Sequence, residues 1–144
     1  MAMVSHKGYD YDPAEKITSG YSGPPTAWVT VGSATMDGDA DAYSWDMVQV
    51  WQHTQTRALI IAQASGCSCY APFDGLTVKG VTFLSRLADF DAFLDGKESM
   101  VQRYDEETRT YTTQRHPRVV DQVVRLREQV GERIRKQRSR RIPR

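Results

Sequence analysis

Apolar and polar residues alternate along two stretches of the first half of the chain, and a continuous apolar run follows them. Residues 27–32 (Ala-Trp-Val-Thr-Val-Gly) mix β-branched and aromatic side chains in alternation and predict a first strand. Residues 43–53 predict a second strand. Its Tyr43, Trp45, Met47, Gln49 and Trp51 share one face, and Ser44, Asp46, Val48, Val50 and Gln52 share the other. The first face is aromatic and reads as core; the second is mixed and reads as half-covered. Residues 53–56 make a connection of hairpin length. Residues 57–63 then run without a polar break from Ala58 to Ala62, which predicts a central strand covered on both faces.

Beyond residue 75 the period changes. Residues 76–81 fit a short strand or a linker. Leu84, Leu87, Phe90 and Leu94 recur at helical spacing, so residues 85–94 predict a helix laid on the sheet, with Ser85 as its N-cap and Gly96 as its stop. A second short helical piece is expected at 98–104, a solvated turn at 105–107 and a short Thr/Tyr strand at 109–114. From Pro117 a long helix carries a narrow apolar seam of Val119, Val123, Leu126, Val130 and Ile134, widened by Val120 and Val124. That seam can pack on its own domain or pair with a second copy of the chain. Residues 1–25, with scattered tyrosines, glycines and prolines and no period, read as an irregular arm. The resulting expectation is an α+β fold. It has a small antiparallel sheet of three or four strands, one packed helix and a long amphipathic C-terminal helix. The organisation is an arm at 1–25, a core domain at 26–114 and a basic helix and tail at 115–144.

Composition changes this picture in one respect. The 144 residues carry a net charge of only +1, but the charge is sorted along the chain. Residues 1–114 hold 8 basic and 15 acidic side chains, net −7, whereas 115–144 hold 11 basic and 3 acidic, net +8. From residue 133 onward stand Arg133, Arg135, Lys136, Arg138, Arg140, Arg141 and Arg144 with no acid between them. Such a run seeks a polyanion or an acidic surface, and it is expected to be flexible until it meets one. No apolar stretch approaches the length of a membrane span, and residues 1–7 lack the apolar centre of a signal peptide. The expected setting is a reducing cytosol with no membrane partner. No aromatic residue stands among the terminal arginines, so the tail by itself offers no surface for stacking bases.

Candidate chemistry concentrates in Ser65-Gly66-Cys67-Ser68-Cys69, with Pro72 and Phe73 behind it. Two cysteines one residue apart do not readily bond to each other. They fit a buried loop at the exit of the central strand, anchored by Phe73, in which the thiols act as small apolar groups. Two other readings stand beside it. A zinc site would need Cys67 and Cys69 completed by His53, His116 or nearby carboxylates, although Cys-x-Cys is tighter than the usual ligand spacing. A reactive thiol would need a base, and no histidine is close in sequence. Asp46, between large aromatics, reads as an acceptor for backbone donors of a turn or as a functional carboxylate. Residues 37–41 alternate aspartates like a calcium loop, but the twelfth position from Asp37 is Val48 where a glutamate is needed, so a solvated turn fits better.

The motif Tyr43-Ser44-Trp45-Asp46-Met47-Val48-Gln49-Val50-Trp51, followed by Ser65-Gly66-Cys67-Ser68-Cys69 and Pro72-Phe73, resembles an uncharacterised family of small proteins from phages of actinobacteria. The resemblance covers about residues 43–95. It implies a phage origin, with the host cytoplasm or the virion as the setting, and it carries over no catalytic residue and no cofactor. The expected function is binding without catalysis by a phage accessory or structural protein. Its basic C-terminal helix and tail would contact nucleic acid or an acidic protein surface. The alternative is a small metal-binding protein or thiol enzyme centred on the cysteine pair.

Overall fold

The computed structural model describes residues 2–20, 23–35, 44–67, 73–95, 100–115 and 117–141. Strands β3 (Trp28–Thr35), β4 (Ser44–His53), β5 (Leu59–Cys67) and β6 (Thr82–Leu84) form one antiparallel sheet in the order β3-β4-β5-β6. Two further hairpins stand apart from it in the hydrogen-bonding pattern. One joins β1 (Val4–His6) to β2 (Tyr9–Tyr11), and the other joins β7 (Met100–Asp105) to β8 (Thr110–Arg115). Helix α1 spans Leu87–Leu94 and helix α2 spans Pro117–Arg141. The α+β expectation therefore holds, with β5 an internal strand as its apolar run requires.

Both faces of the sheet are covered. On one face, Val48 and Val50 of β4 and Leu59 and Ile61 of β5 meet Phe90 and Leu94 of α1 and Leu126, Val130 and Ile134 of α2. This corrects the half-covered reading: Val48 and Val50 are both 0% exposed. Leu126, Val130 and Ile134 of the α2 seam thus pack on the chain's own sheet, with Val123 partly buried against them, while Val124 is 51% exposed. On the other face, Trp51, Ile60 and Ala62 meet Tyr11, Ile17, Trp28, Phe73 and Val78. Alternation along β4 and β5 sends successive residues to opposite layers, which is why each strand feeds both clusters.

The arm is more ordered than its composition suggests. A two-residue turn at Lys7 (φ 51) and Gly8 (φ 85) joins β1 to β2, and two successive positive φ values match the twist that tight hairpins need. Farther on, the Ile17 N–H donates to the Leu76 carbonyl (3.0 Å) and the Val78 N–H to the Glu15 carbonyl (3.0 Å), which ties the arm to the segment before β6. That segment is a single 3-10 turn, Val78–Gly80, leading into β6.

Three local expectations change. Ser85 is not the N-cap of α1. Instead the Asp89 carboxylate accepts the N–H groups of Ser85 (2.8 Å) and Arg86 (2.9 Å), and those donors hold its pKa below the ordinary carboxylate value. The helical piece expected at 98–104 is strand β7, because β8 supplies an antiparallel partner from Met100↔Arg115 to Asp105↔Thr110. Lastly, the basic run from residue 133 is helical through Arg141. Gly96 and the acidic turn at 37–41 lie outside the described residues.

α2 approaches the sheet closely at β3. A Cβ built on Gly32 would stand 2.2 Å from Gln129 Oε1 and 3.0 Å from Leu126 Cδ1. Gly32 follows a register shift in β3, between Thr30 and Gly32. The Thr35 N–H donates to Gln122 Oε1 (2.7 Å), fixing the early part of α2 against the end of the same strand. Arg127 clamps α2 to α1 through two bonds to Asp91 (2.8 and 3.0 Å).

Candidate functional site

The packing stripe of α2 fixes its rotation, and rotation decides where the basic residues go. With Leu126, Val130 and Ile134 buried, Arg133 lies beside the sheet and reaches the far end of β4. Its Nη1 donates to Gln52 Oε1 (2.8 Å). Gln52 is 4% exposed and its Nε2 donates to the Arg57 carbonyl (3.2 Å). One turn after Arg133, Gln137 Nε2 donates to the same carbonyl. Arg57 itself is in the left-handed region (φ 66), at the end of the turn between β4 and β5. Two side-chain donors on its carbonyl, from a strand and from a helix, hold the turn and α2 together.

At this junction lies an open cleft of about 360 Å³ lined by Tyr9, Gln55, Thr56, Arg57, Arg133 and Lys136 together with the two glutamines. Three cations from two elements line it, and none of its lining side chains is acidic. Glu132 pairs with Lys136 at 3.3 Å, in a contact where both side chains are more than half exposed. On the other side of Tyr9 and Thr56 lies a second cleft of about 700 Å³, lined by Asp10, Asp12, Glu15 and His53. The β4–β5 turn thus divides a positive concavity from a negative one. Tyr9, 52% exposed, stands at the divide.

His53, considered above as a zinc ligand, has another job. Its Nδ1 accepts the backbone N–H groups of Gln55 and Thr56, each at 3.1 Å, so the ring caps the turn. It is packed edge-on against Trp28 (4.8 Å) and Tyr11 (5.7 Å). Burial pushes its pKa below the ordinary value, with Glu15 pulling weakly the other way. His53 and Cys67 also stand at opposite ends of the same strand pair. Cys67 pairs with Ser44, nine positions from His53 along β4, which is roughly 30 Å of extended chain. The fold therefore does not bring His53 to Cys67. Cys69, Pro72 and His116 lie outside the described residues.

The other motif residues are placed as follows. The strand continues through Ser65, Gly66 and Cys67, which pair with Asp46, Trp45 and Ser44, so the first part of the motif is strand and not exit loop. Asp46 accepts from Gln63 Nε2 across β4 and β5 (3.0 Å), and the turn expected to supply its backbone donors lies outside the described residues. Trp51 and Phe73 meet edge to face at 5.0 Å, and both are buried. Phe73 has φ 63, uncommon for a bulky residue. Its carbonyl accepts from the Thr18 hydroxyl (3.0 Å) and the Leu76 N–H (3.1 Å), so arm and core together hold that conformation. Of the basic run, Arg133 and Lys136 enter the cleft, Arg135 and Arg138 are exposed on α2, Arg140 and Arg141 complete the helix backbone, and Arg144 lies outside the described residues. Sequence reasoning missed Tyr9, Arg57, Gln52 and Gln137. Gln52 did carry a signal, as a polar residue following Val48 and Val50 on the same face of β4.

The chain belongs to DUF7574, a family described as a domain of unknown function, whose profile matches residues 29–130. The match takes in the sheet, α1 and most of α2, and it includes Gln52, Gln55, Thr56 and Arg57 of the cleft. Tyr9, Arg133, Lys136 and Gln137 lie outside it. No curated protein and no solved structure matches the chain. Among the described residues no helix is long and apolar enough to cross a membrane.

Proposed function

We propose that this chain acts by binding, without catalysis, and that its partner is a nucleic acid docked on the basic C-terminal part of α2. The observation that carries this reading is the cleft at the β4–β5 turn, where Arg57 joins Arg133 and Lys136 in one concavity without a lining carboxylate. Arginine forks suit phosphate oxygens, and exposed Arg135 and Arg138 extend the positive surface along the helix. The resemblance to actinobacterial-phage proteins gives this function a setting, as an accessory or virion component working in the infected cell or against packaged DNA. An acidic protein surface is the competing partner for the same charge.

The test is a titration of labelled DNA with the full chain and with the double variant Arg135→Glu/Arg138→Glu, at low and moderate salt. Both positions are exposed, so the fold is retained. Shortening the chain at residue 132 is a poorer probe, because it removes buried Ile134. The full chain is expected to bind in the micromolar range or weaker and to lose affinity steeply with salt, and the variant to bind at least about tenfold more weakly. Equal binding by both, or no binding by either at low salt, removes the nucleic-acid reading and leaves a protein partner.

A further inference from the structure

Charge along α2 explains attraction to any polyanion, but the cleft adds an aromatic side chain to the cations. The neighbouring Tyr11 is buried against Trp28, His53 and Phe83. Tyr9, two residues earlier, is 52% exposed, stacks on no described ring, and borders the space between Arg57, Arg133 and Lys136. It is held there by its pairing with His6 across the tight Lys7-Gly8 turn. We infer that this cleft binds single-stranded nucleic acid, with successive phosphates of a short segment seated on Arg57, Arg133 and Lys136 and an unpaired base stacked on Tyr9. The inference rests on the nucleic-acid reading above and narrows it.

Three features support a single strand over a duplex. Stacking on a tyrosine requires a free base face, which a duplex hides except at its ends. The site is a concavity of about 360 Å³ and not an extended flat or convex face, so it suits a local backbone segment. It is also pre-organised. Arg133 is held by Gln52, and the turn that presents Arg57 is held by Gln52 and Gln137, so little ordering is left for binding. The Arg57 guanidinium makes no ion pair or hydrogen bond with another described residue.

The acidic cleft beyond Tyr9 sets the direction of the strand. Asp10, Asp12 and Glu15 repel a phosphodiester that continues past the tyrosine, so the strand leaves along α2 towards Arg138. The footprint is therefore short. About three phosphate contacts give a salt slope near −2 for a single strand, from about −0.7 per contact.

Binding of a fluorescent oligothymidylate of about 12 nucleotides, within the span such sites cover, is compared with a duplex of equal length. The full chain, Tyr9→Leu, Tyr9→Phe and Arg57→Asn are titrated across salt. Asparagine is chosen at residue 57 because it tolerates the left-handed backbone there. The single strand is expected to bind at least about fivefold more tightly than the duplex, with Tyr9→Leu removing that advantage and Tyr9→Phe retaining it. Arg57→Asn is expected to weaken binding and to shrink the salt slope by about 0.7. Thermal melts check that each variant is folded. Equal affinity for the two probes, unchanged in Tyr9→Leu but weakened in Arg135→Glu/Arg138→Glu, overturns the stacking site and keeps the polyanion reading. Absence of binding to either probe at low salt overturns both.

Discussion

The two faces of the four-stranded sheet are covered by different means. On the helix side the cover is aliphatic and periodic: Leu126, Val130 and Ile134 of α2 and Phe90 and Leu94 of α1 lie on Val48, Val50, Leu59 and Ile61. On the arm side it is aromatic and irregular. Tyr11, Ile17 and Trp28 pack with Phe73 and Trp51, and single hydrogen bonds from turns and short bridges pin them there. The first kind of cover follows from repeating side-chain spacing. The second follows from individual contacts between segments far apart in the chain. Both histidines of the described residues, His6 and His53, fall on the arm side, and the contacts that position them are ring packing and turn capping.

The two sides are told apart most strongly by opening a cavity in each. Phe90 and Ile17 are both essentially unexposed. Phe90→Ala is expected to cost about 3–5 kcal/mol and Ile17→Ala about 2–5 kcal/mol, both read from urea unfolding. If the faces form one cooperative unit, both variants shift the single transition and leave its slope unchanged. A separate early transition in Ile17→Ala would show that the arm side opens by itself.

Overpacking tests the helix side alone. Gly32→Ala puts a methyl against Gln129 and Leu126. Gln129 can swing away but Leu126 is buried, so a loss of about 1–3 kcal/mol is expected in the same assay. An unchanged midpoint would mean that α2 can lift from β3 freely.

Acid separates the two sides by pH. Burial lowers the pKa of His53, and that of His6 as well, with Lys7 adding to the effect on His6. The unfolded chain then binds more protons than the folded one as pH drops below the ordinary value of 6.5. Stability is therefore full above that pH and declines below it. The helix side responds later. The Arg127 hydrogen bonds lower the pKa of Asp91, so that contribution is present above the ordinary value of 3.8 and is lost as pH falls below it. Melting at about pH 7.5 and pH 5 should show the first loss and not the second. His53→Gln should flatten the difference. A melting point constant between those two pH values would contradict the histidine assignment.

The smallest expected effect is a gain. Gly131 lies within α2, and a Cβ there would meet Leu87 and Arg135 at ordinary contact distance, 3.7 Å. Gly131→Ala should therefore raise stability by up to about 1 kcal/mol by restricting the unfolded chain, measured as a higher urea midpoint. A loss instead would show that α1 and α2 are closer in solution than this packing allows.

Elements that carry their own period were legible in the order of residues alone. The unbroken apolar run of β5 announced a strand buried on both faces, and the three- and four-residue spacing of Val123, Leu126, Val130 and Ile134 announced a helix with one packed side. Such patterns are legible because each repeats the geometry of its own backbone. Residues 100–105 gave no such signal, and β7 exists because β8 pairs with it. Strands β1 and β2, three residues each, are too short for a period to show. The motif around Cys67 read as a loop because its small residues and glycine lack strand propensity, whereas pairing with Ser44, Trp45 and Asp46 extends β5 through its first part. The charge of the C-terminal segment was plain from composition, but its partners in the cleft were not. Arg57 is 76 residues from Arg133, and Tyr9 is 124 residues from it. Only the rotation of α2 on the sheet and the docking of the arm beside the β4–β5 turn bring these three together, since burial of an apolar stripe decides which cations a helix presents and to what.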